Sequence, residues 1–453
     1  MEYWGVDRMS ERQTLDIGQW IDDQPIKSRQ WMIIALCASV ALLDGLDVQA
    51  IGLAAPGIGA ELHIPPQNFG TVFSAALAGL ALGAFFLGPL ADRIGRKRVL
   101  IGSTLFFGLF TIATALAASF QTLLVYRFCA GLGLGGAMPS FISLATEFVP
   151  RARRAGIVSL VWAGFPLGGV IGGLLGSQII PLYGWQSIFW VGGLAPIALA
   201  LILVGFLPES LAWLITRGAD STTVATSVRK LFPDRAVSDD ASFSFSAQTE
   251  RRGRVVELFQ EQRTVGTICL WVSFYFAFMI LVSNSSWTPL LLKPQGITVQ
   301  QSSLALALYN FASVFGSGAA GYLTIKFKPQ IVLVLTIIGG ALAYASIGWT
   351  APDVTGIFVG EALFGLLMGC GSSGLIGLGA IFYPSRIRST GVGWATAAGR
   401  FGSFSGPLFI GFLVASGVKA PMIFALLAAG AGIGGLVCLA LRLPKGEAKQ
   451  ATT

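Results

Sequence analysis

Charge is scarce in this chain of 453 residues: Asp, Glu, Lys and Arg together make up 11% of it. A soluble domain carries roughly 25%. Too little solvating side chain remains to clothe a water-soluble multidomain enzyme. Histidine is nearly missing as well. His63 stands alone beside Pro65 and Pro66 in a polar break, where it reads as a solvated loop residue rather than a proton relay. The five cysteines, Cys37, Cys129, Cys269, Cys370 and Cys438, each fall inside an apolar stretch and no two have metal-ligand spacing. They read as small buried hydrophobes, and no metal is expected. The first 29 residues hold no apolar core of signal-peptide length, so no cleaved leader is expected. No nucleophile–base, metal or phosphate-loop constellation occurs, so neither an enzyme nor a cofactor is expected. Short loops and tails argue against a receptor with an output domain.

What is abundant points one way. Hydrophobic residues make up 54%, glycine accounts for 58 positions, and mean hydropathy is +0.72. Apolar stretches long enough to cross about 30 Å of hydrocarbon recur along the whole chain. They predict spans over 31–58, 69–91, 99–118, 121–147, 155–182, 185–207, 265–292, 302–325, 330–350, 354–382, 390–416 and 419–441. A polar stretch over 208–264 divides them six and six. The expected class is an all-α polytopic membrane protein of twelve transmembrane helices. Its expected parts are a tail (1–30), a six-helix bundle (31–207), a central loop (208–264), a second bundle (265–441) and a short tail (442–453).

Placing the N-terminus inside puts 26 of the 30 Lys and Arg on inner segments and only Lys293 and Lys419 on outer loops. The positive-inside rule then sets both termini in the cytoplasm. The net charge of +8 is thus topological, and no nucleic-acid partner is expected. An internal repeat supports two related halves. Phe148-Val-Pro150 recurs as Phe382-Tyr-Pro384, and the same offset of 234 pairs Arg154 with Arg388, Gly168 with Gly402, Gly172 with Gly406 and Arg127 with Glu361. Halves of this kind suit a substrate path between them and alternating access by rocking.

After span 2 comes Gly88-Pro-Leu-Ala-Asp92-Arg93-Ile-Gly95-Arg96-Lys97-Arg98. It resembles the loop signature of the major facilitator superfamily, which implies twelve helices in two pseudo-symmetric six-helix bundles. An acid, a glycine turn and four bases can latch two bundles at the inner face. Asp92, Arg93 and Arg96 are therefore candidate gating residues, with Asp92 as a substrate ligand the alternative reading. The matching run in the second half has Ile325 where an acid is expected.

Leu43-Asp44-Gly45-Leu46-Asp47 places two carboxylates in span 1. Intramembrane acids are costly and mark ion or proton paths, and the i, i+3 spacing puts both on one face. Asp47 and Arg127 lie at similar depth, so an ion pair broken by protonation could couple proton binding to helix movement. The alternative is a fixed structural pair. Gly131, Gly133 and Gly136 after Arg127 satisfy G-x-G-x-x-G, but no strand precedes them. Gly131 and Gly135 instead suit close helix packing. Glu147 closes span 4 and reads either as part of the Asp92 latch or as an inner proton station. In span 11, Arg388 sits at the inner mouth and Arg400 lies about 18 Å further in. A cation that deep needs an anion. That anion is either a substrate carboxylate or Glu361 of span 10, itself a candidate gating residue. Trp287, Asn284, Tyr309 and Asn310 would suit a flat anionic ligand.

Leu15-Asp-Ile-Gly-Gln-Trp-Ile-Asp-Asp-Gln-Pro25, Asp44-Gly-Leu-Asp47, Pro384-Ser-Arg-Ile-Arg-Ser-Thr-Gly-Val-Gly393 and Gly399-Arg-Phe-Gly402 together resemble the aromatic acid:proton symporters. That resemblance implies proton-coupled import of hydroxybenzoate-, benzoate- or phenylpropionate-type acids through a bacterial inner membrane. Asp44, Asp47, Asp92, Arg127, Glu147, Arg388 and Arg400 match the residues that matter there. The expected partners are a small aromatic carboxylate, protons and membrane lipid, with the chain a functional monomer. Proton-driven efflux of an organic compound and import of a muconate-type dicarboxylate are the competing readings.

Overall fold

Lipid offers no hydrogen-bond partner to a bare peptide group, so each apolar run closes its backbone bonds on itself as a helix. The computed structural model describes residues 14–231, 241–244, 254–260, 263–384 and 386–441. Much of both tails and parts of the central segment lie outside these. Twelve described helices are long and apolar enough to cross a membrane. The first six are α1 (Ser28–Glu61), α2 (Phe69–Ile94), α3 (Arg96–Ala115), α4 (Phe120–Glu147), α5 (Arg154–Tyr183) and α6 (Gln186–Phe206). The second six are α7 (Thr264–Leu292), α8 (Val299–Lys326), α9 (Pro329–Thr350), α10 (Val354–Phe382), α11 (Arg388–Ala415) and α12 (Ala420–Val437).

Glycine decides which helices touch. A Cβ on Gly131 or Gly135 of α4 would overlap the carbonyl oxygens of Ala76 and Leu80 on α2, and one on Gly168 of α5 would overlap that of Leu42 on α1. The repeat partner Gly402 meets Tyr275 of α7 in the same way, and Gly365 of α10 meets Tyr309 of α8. Each half therefore repeats the same two close pairs, first-with-fifth and second-with-fourth, as small-residue packing in lipid requires. Gly135→Ala should force α2 and α4 apart and lower the melting temperature in detergent by several degrees, since overpacking of this kind costs about 1–3 kcal/mol. An unchanged melting curve would show that the helices can separate freely.

Two expectations need correction. The basic run after span 2 is not a loop. Asp92 and Arg93 end α2, Gly95 turns the chain at φ +110°, and Arg96 already opens α3. Only glycine takes that φ cheaply, so one residue suffices to reverse direction. Nor is the central stretch merely a polar loop. It contains helices Leu211–Thr216 and Ser221–Leu231, and Ser242–Ser244 pairs in parallel with Thr14–Asp16. Val224, Ala225, Val228 and Leu231 are buried on one face, an amphipathic stripe that hydropathy averaged over a long window does not reveal. The far end of the segment belongs to the second half, where Thr267 Oγ1 donates to Leu258 O and the Phe259 ring meets Trp271.

Contacts between the halves gather toward the end that carries Glu61. There Lys293 Nζ donates to Pro56 O at 3.0 Å and Ser74 Oγ to Phe404 O at 2.8 Å. Asn310 Nδ2 donates to Gln49 Oε1 at 3.2 Å. Gly52 lies against the Ser285 backbone and Gly70 against that of Pro407.

Candidate functional site

A narrow cleft lies between α1, α2, α4 and α7. Ile51, Phe73, Leu77 and Leu134 give it apolar walls, and Asp44, Asp47 and Arg127 supply its charge. The i, i+3 spacing on α1 turns both acids the same way, as the sequence predicts. Their environments then differ. Asp47 meets Arg127 as a two-pronged pair, Nη1 to Oδ1 at 2.9 Å and Nη2 to Oδ2 at 2.5 Å, with both side chains 1% exposed. Thr111 Oγ1 donates to the same carboxylate at 3.4 Å, and the Phe189 ring lies 5.8 Å from the guanidinium carbon. A buried pair of this geometry roughly offsets its desolvation, but loss of either member leaves an uncompensated charge.

Asp44 is equally buried, yet its Oδ1 has no hydrogen-bond partner. The cation within its electrostatic reach is Arg400, from the other half. Arg400 is half-buried, and its Nη2 donates to Met138 Sδ at 3.3 Å. A thioether is a poor acceptor for a guanidinium, so the planar fork of Arg400 keeps donors that no described residue takes up.

The anticipated bridge from Arg400 to Glu361 does not form. Glu361 lies seven residues into α10, roughly 10 Å from its start, where it accepts from Asn284 Nδ2 at 2.9 Å. That is the half of α10 remote from Asp92 and Arg388, so Glu361 stands apart from the other gating candidates. The ligand set envisaged from sequence also disperses. Trp287 is fully buried with its ring 5.5 Å from Phe73, Tyr309 stacks on Phe364 at 5.3 Å, Asn310 bonds Gln49, and Asn284 serves Glu361. The set thus splits: Asn284 and Tyr309 lie at Glu361, Trp287 and Asn310 pack on the first half, and none of the four is in a described contact with Arg400. Sequence reasoning missed Phe73, Met138 and Gln49. Phe73 and Met138 carry no signal beyond apolarity, whereas Gln49, a polar residue two places after Asp47, did.

At the opposite end, Arg96 Nη1 meets Glu147 Oε2 at 3.1 Å and Arg96 Nη2 lies 3.6 Å from Asp92 Oδ1. Glu147 also accepts from Ser210 Oγ and Ala212 N, both at 2.6 Å, and Glu209 accepts from Lys97 N at 3.0 Å. Glu147 thus joins Arg96 and Asp92 in one network, pinned by the start of the central segment. Arg93 and Arg388 are exposed at this end, the latter with Nε 3.4 Å from Tyr383 O. Among the described residues the Asp92 carboxylate pairs with Arg96, and its backbone carbonyl accepts from Trp213 Nε1 and Arg217 Nη2 of the central segment. Its side chain is 72% exposed, so Asp92→Asn should barely change stability. If Asp92 meets the second half at another stage of the cycle, the variant will keep ligand affinity and lose transport rate. Equal loss of both would count against a gate.

A family model for the Major Facilitator Superfamily matches residues 37–381 and 295–453. The 4-hydroxybenzoate transporter PcaK of Pseudomonas putida is 35% identical over 396 residues, covering 87% of this chain and 88% of that protein. The gallate transporter of the same organism is 32% identical over 94% of this chain and 95% of its own. The 3-(3-hydroxy-phenyl)propionate transporter of Escherichia coli is 34% identical over 91% and 94%. Among solved structures, a D-xylose-proton symporter matches with a TM-score of 0.72 at 16% identity, covering 92% of this chain and 99% of that one. A bacterial homolog of the human lysosomal transporter Spinster, inward-facing, matches at 0.70 and 18%, covering 93% and 100%. At such identities these structures bear on the fold alone. Matched by that family model along most of its length, and more than 30% identical to aromatic acid transporters over nearly all of it, this chain belongs to the Major Facilitator Superfamily.

Proposed function

We propose that the chain imports an aromatic monocarboxylate together with protons across a bacterial inner membrane, with both termini in the cytoplasm and the halves rocking about the central cleft. The observation that carries this reading is Asp44, buried in a largely apolar cleft beside the Asp47–Arg127 pair and within electrostatic reach of Arg400 from the other half. While Asp44 is ionised it neutralises Arg400 and leaves no role for a second anion. A proton on Asp44 removes that competitor, and the guanidinium fork then takes the substrate carboxylate by two parallel hydrogen bonds. Proton and carboxylate enter as a neutral pair, so the summed charge of the site is unchanged. Phe73, Ile51 and Leu77 offer a flat ring apolar contact. Asp47–Arg127 is the second element a proton would loosen, freeing α1 from α4. Relatives that carry 4-hydroxybenzoate, gallate and hydroxyphenylpropionate support the substrate class.

The test is reconstitution into proteoliposomes under an imposed pH gradient, with benzoate, 4-hydroxybenzoate, gallate, 3-(3-hydroxyphenyl)propionate and muconate as labelled ligands. Accumulation of an aromatic acid that collapses with a protonophore is expected. Accumulation of muconate alone, or movement only in the exporting direction, would overturn the reading.

A further inference from the structure

The second half contains a buried acid that this mechanism does not use. Arg127 and Glu361 occupy the same place in the repeat, each seven residues into its helix, and each faces a partner on the first helix of its half. In the first half the partner is Asp47, so acid meets base. In the second half it is Asn284, so acid meets amide. Thr288 Oγ1 donates to Asn284 Oδ1 at 2.7 Å, which turns the amide's N–H toward Glu361.

Four helices pack around Glu361, and none brings it a cation. From α7 come Asn284 and Thr288, from α8 Tyr309 and from α9 Tyr344. On α11 the only charge at depth is Arg400, which engages Asp44 instead. Glu361 has no exposed surface, and its Oε1 has no hydrogen-bond partner. The Tyr344 hydroxyl is likewise buried, beside Thr288. An ionised carboxylate so enclosed, with one neutral donor and no counter-charge, would cost several kcal/mol. A proton removes most of that cost. A group that served only as a strut would use both oxygens, whereas this one keeps an oxygen free to hold a proton.

We propose that Glu361 is a second proton carrier in the transport cycle, so that each aromatic monoanion enters with two protons, one on the Asp44–Asp47 pair and one on Glu361. This rests on the symport reading above and adds a consequence that reading lacks. One anion and two protons move a net positive charge inward, so uptake is driven by an inside-negative potential as well as by pH.

The experiment uses full-length protein in proteoliposomes and the aromatic acid from the panel that accumulates fastest. With the potential clamped at zero and one pH unit imposed, E361Q should accumulate about tenfold less than wild type, because each coupled proton contributes about tenfold per pH unit. With no pH gradient, an imposed potential should drive uptake in wild type and in E361D but not in E361Q. Counterflow exchange by E361Q shows that the variant is folded. Should exchange be lost, the wild-type response to potential decides alone. Wild-type uptake that is pH-driven but indifferent to potential, or an accumulation ratio unchanged in E361Q, would overturn the role of Glu361 and leave symport standing. Absence of pH-driven accumulation of any acid would overturn symport itself.

Discussion

Asp44→Asn should abolish uphill accumulation of substrate while leaving counterflow exchange intact. Asparagine mimics the protonated carboxyl in shape and charge, so Arg400 stays permanently free to take a carboxylate and loaded carrier can still cycle. What is lost is the step in which an ionised Asp44 expels the substrate from Arg400. Accumulation should then relax to the ratio set without a gradient. The variant is also expected to fold, because Asp44 Oδ1 makes no hydrogen bond that asparagine would forfeit. Asp47→Asn makes the informative contrast. It strips Arg127 of its counter-charge in a site closed to water, which typically costs about 3–5 kcal/mol. Coupling should fail there too, but with a marked drop in melting temperature. Uphill accumulation in Asp44→Asn at the wild-type level, measured in the same vesicles, would refute the assignment.

The second large effect is expected at Arg400. Arg400→Gln removes both charge-assisted hydrogen bonds to the substrate carboxylate. At about 1.5–3 kcal/mol for each bond to a charged group, affinity should fall by roughly a hundredfold or more. Arg400→Lys keeps the charge but loses the fork, so a loss of about tenfold is expected. The control that isolates the carboxylate is the amide of the same aromatic acid. It should bind wild type poorly and lose little more in Arg400→Gln. Should the glutamine variant still prefer acid over amide as strongly as wild type does, the carboxylate sits elsewhere, and Arg127 is the next cation along the cleft.

Much of this is legible in the sequence. The twelve helices fall within a few residues of the spans read from hydropathy, because a helix that must satisfy all its own backbone bonds in lipid has its length set by the bilayer. The Asp47–Arg127 pair was legible too, since depth along a helix follows from residue count and a buried acid requires a base. Gly168 and Gly402 could be paired by the repeat, and both proved to be points of close helix approach.

The sequence by itself determined which residues lie in the membrane, how deep they sit, and which of them are too costly to bury alone. Only the tertiary structure decided who meets whom across the cleft. Arg400 had two candidate acids on depth alone, and rotation about the helix axes gave it Asp44 and gave Glu361 to Asn284. Trp287, Asn284, Tyr309 and Asn310 share a composition suited to a ligand, yet Asn284 and Tyr309 gather at Glu361 while Trp287 packs on Phe73 and Asn310 bonds Gln49. The reason is geometric. Depth accumulates along one helix at a fixed rise per residue. Facing depends on how several helices rotate and tilt against one another, and that is set by glycine contacts such as Gly52 on Ser285, whose partners lie more than two hundred residues away in the chain.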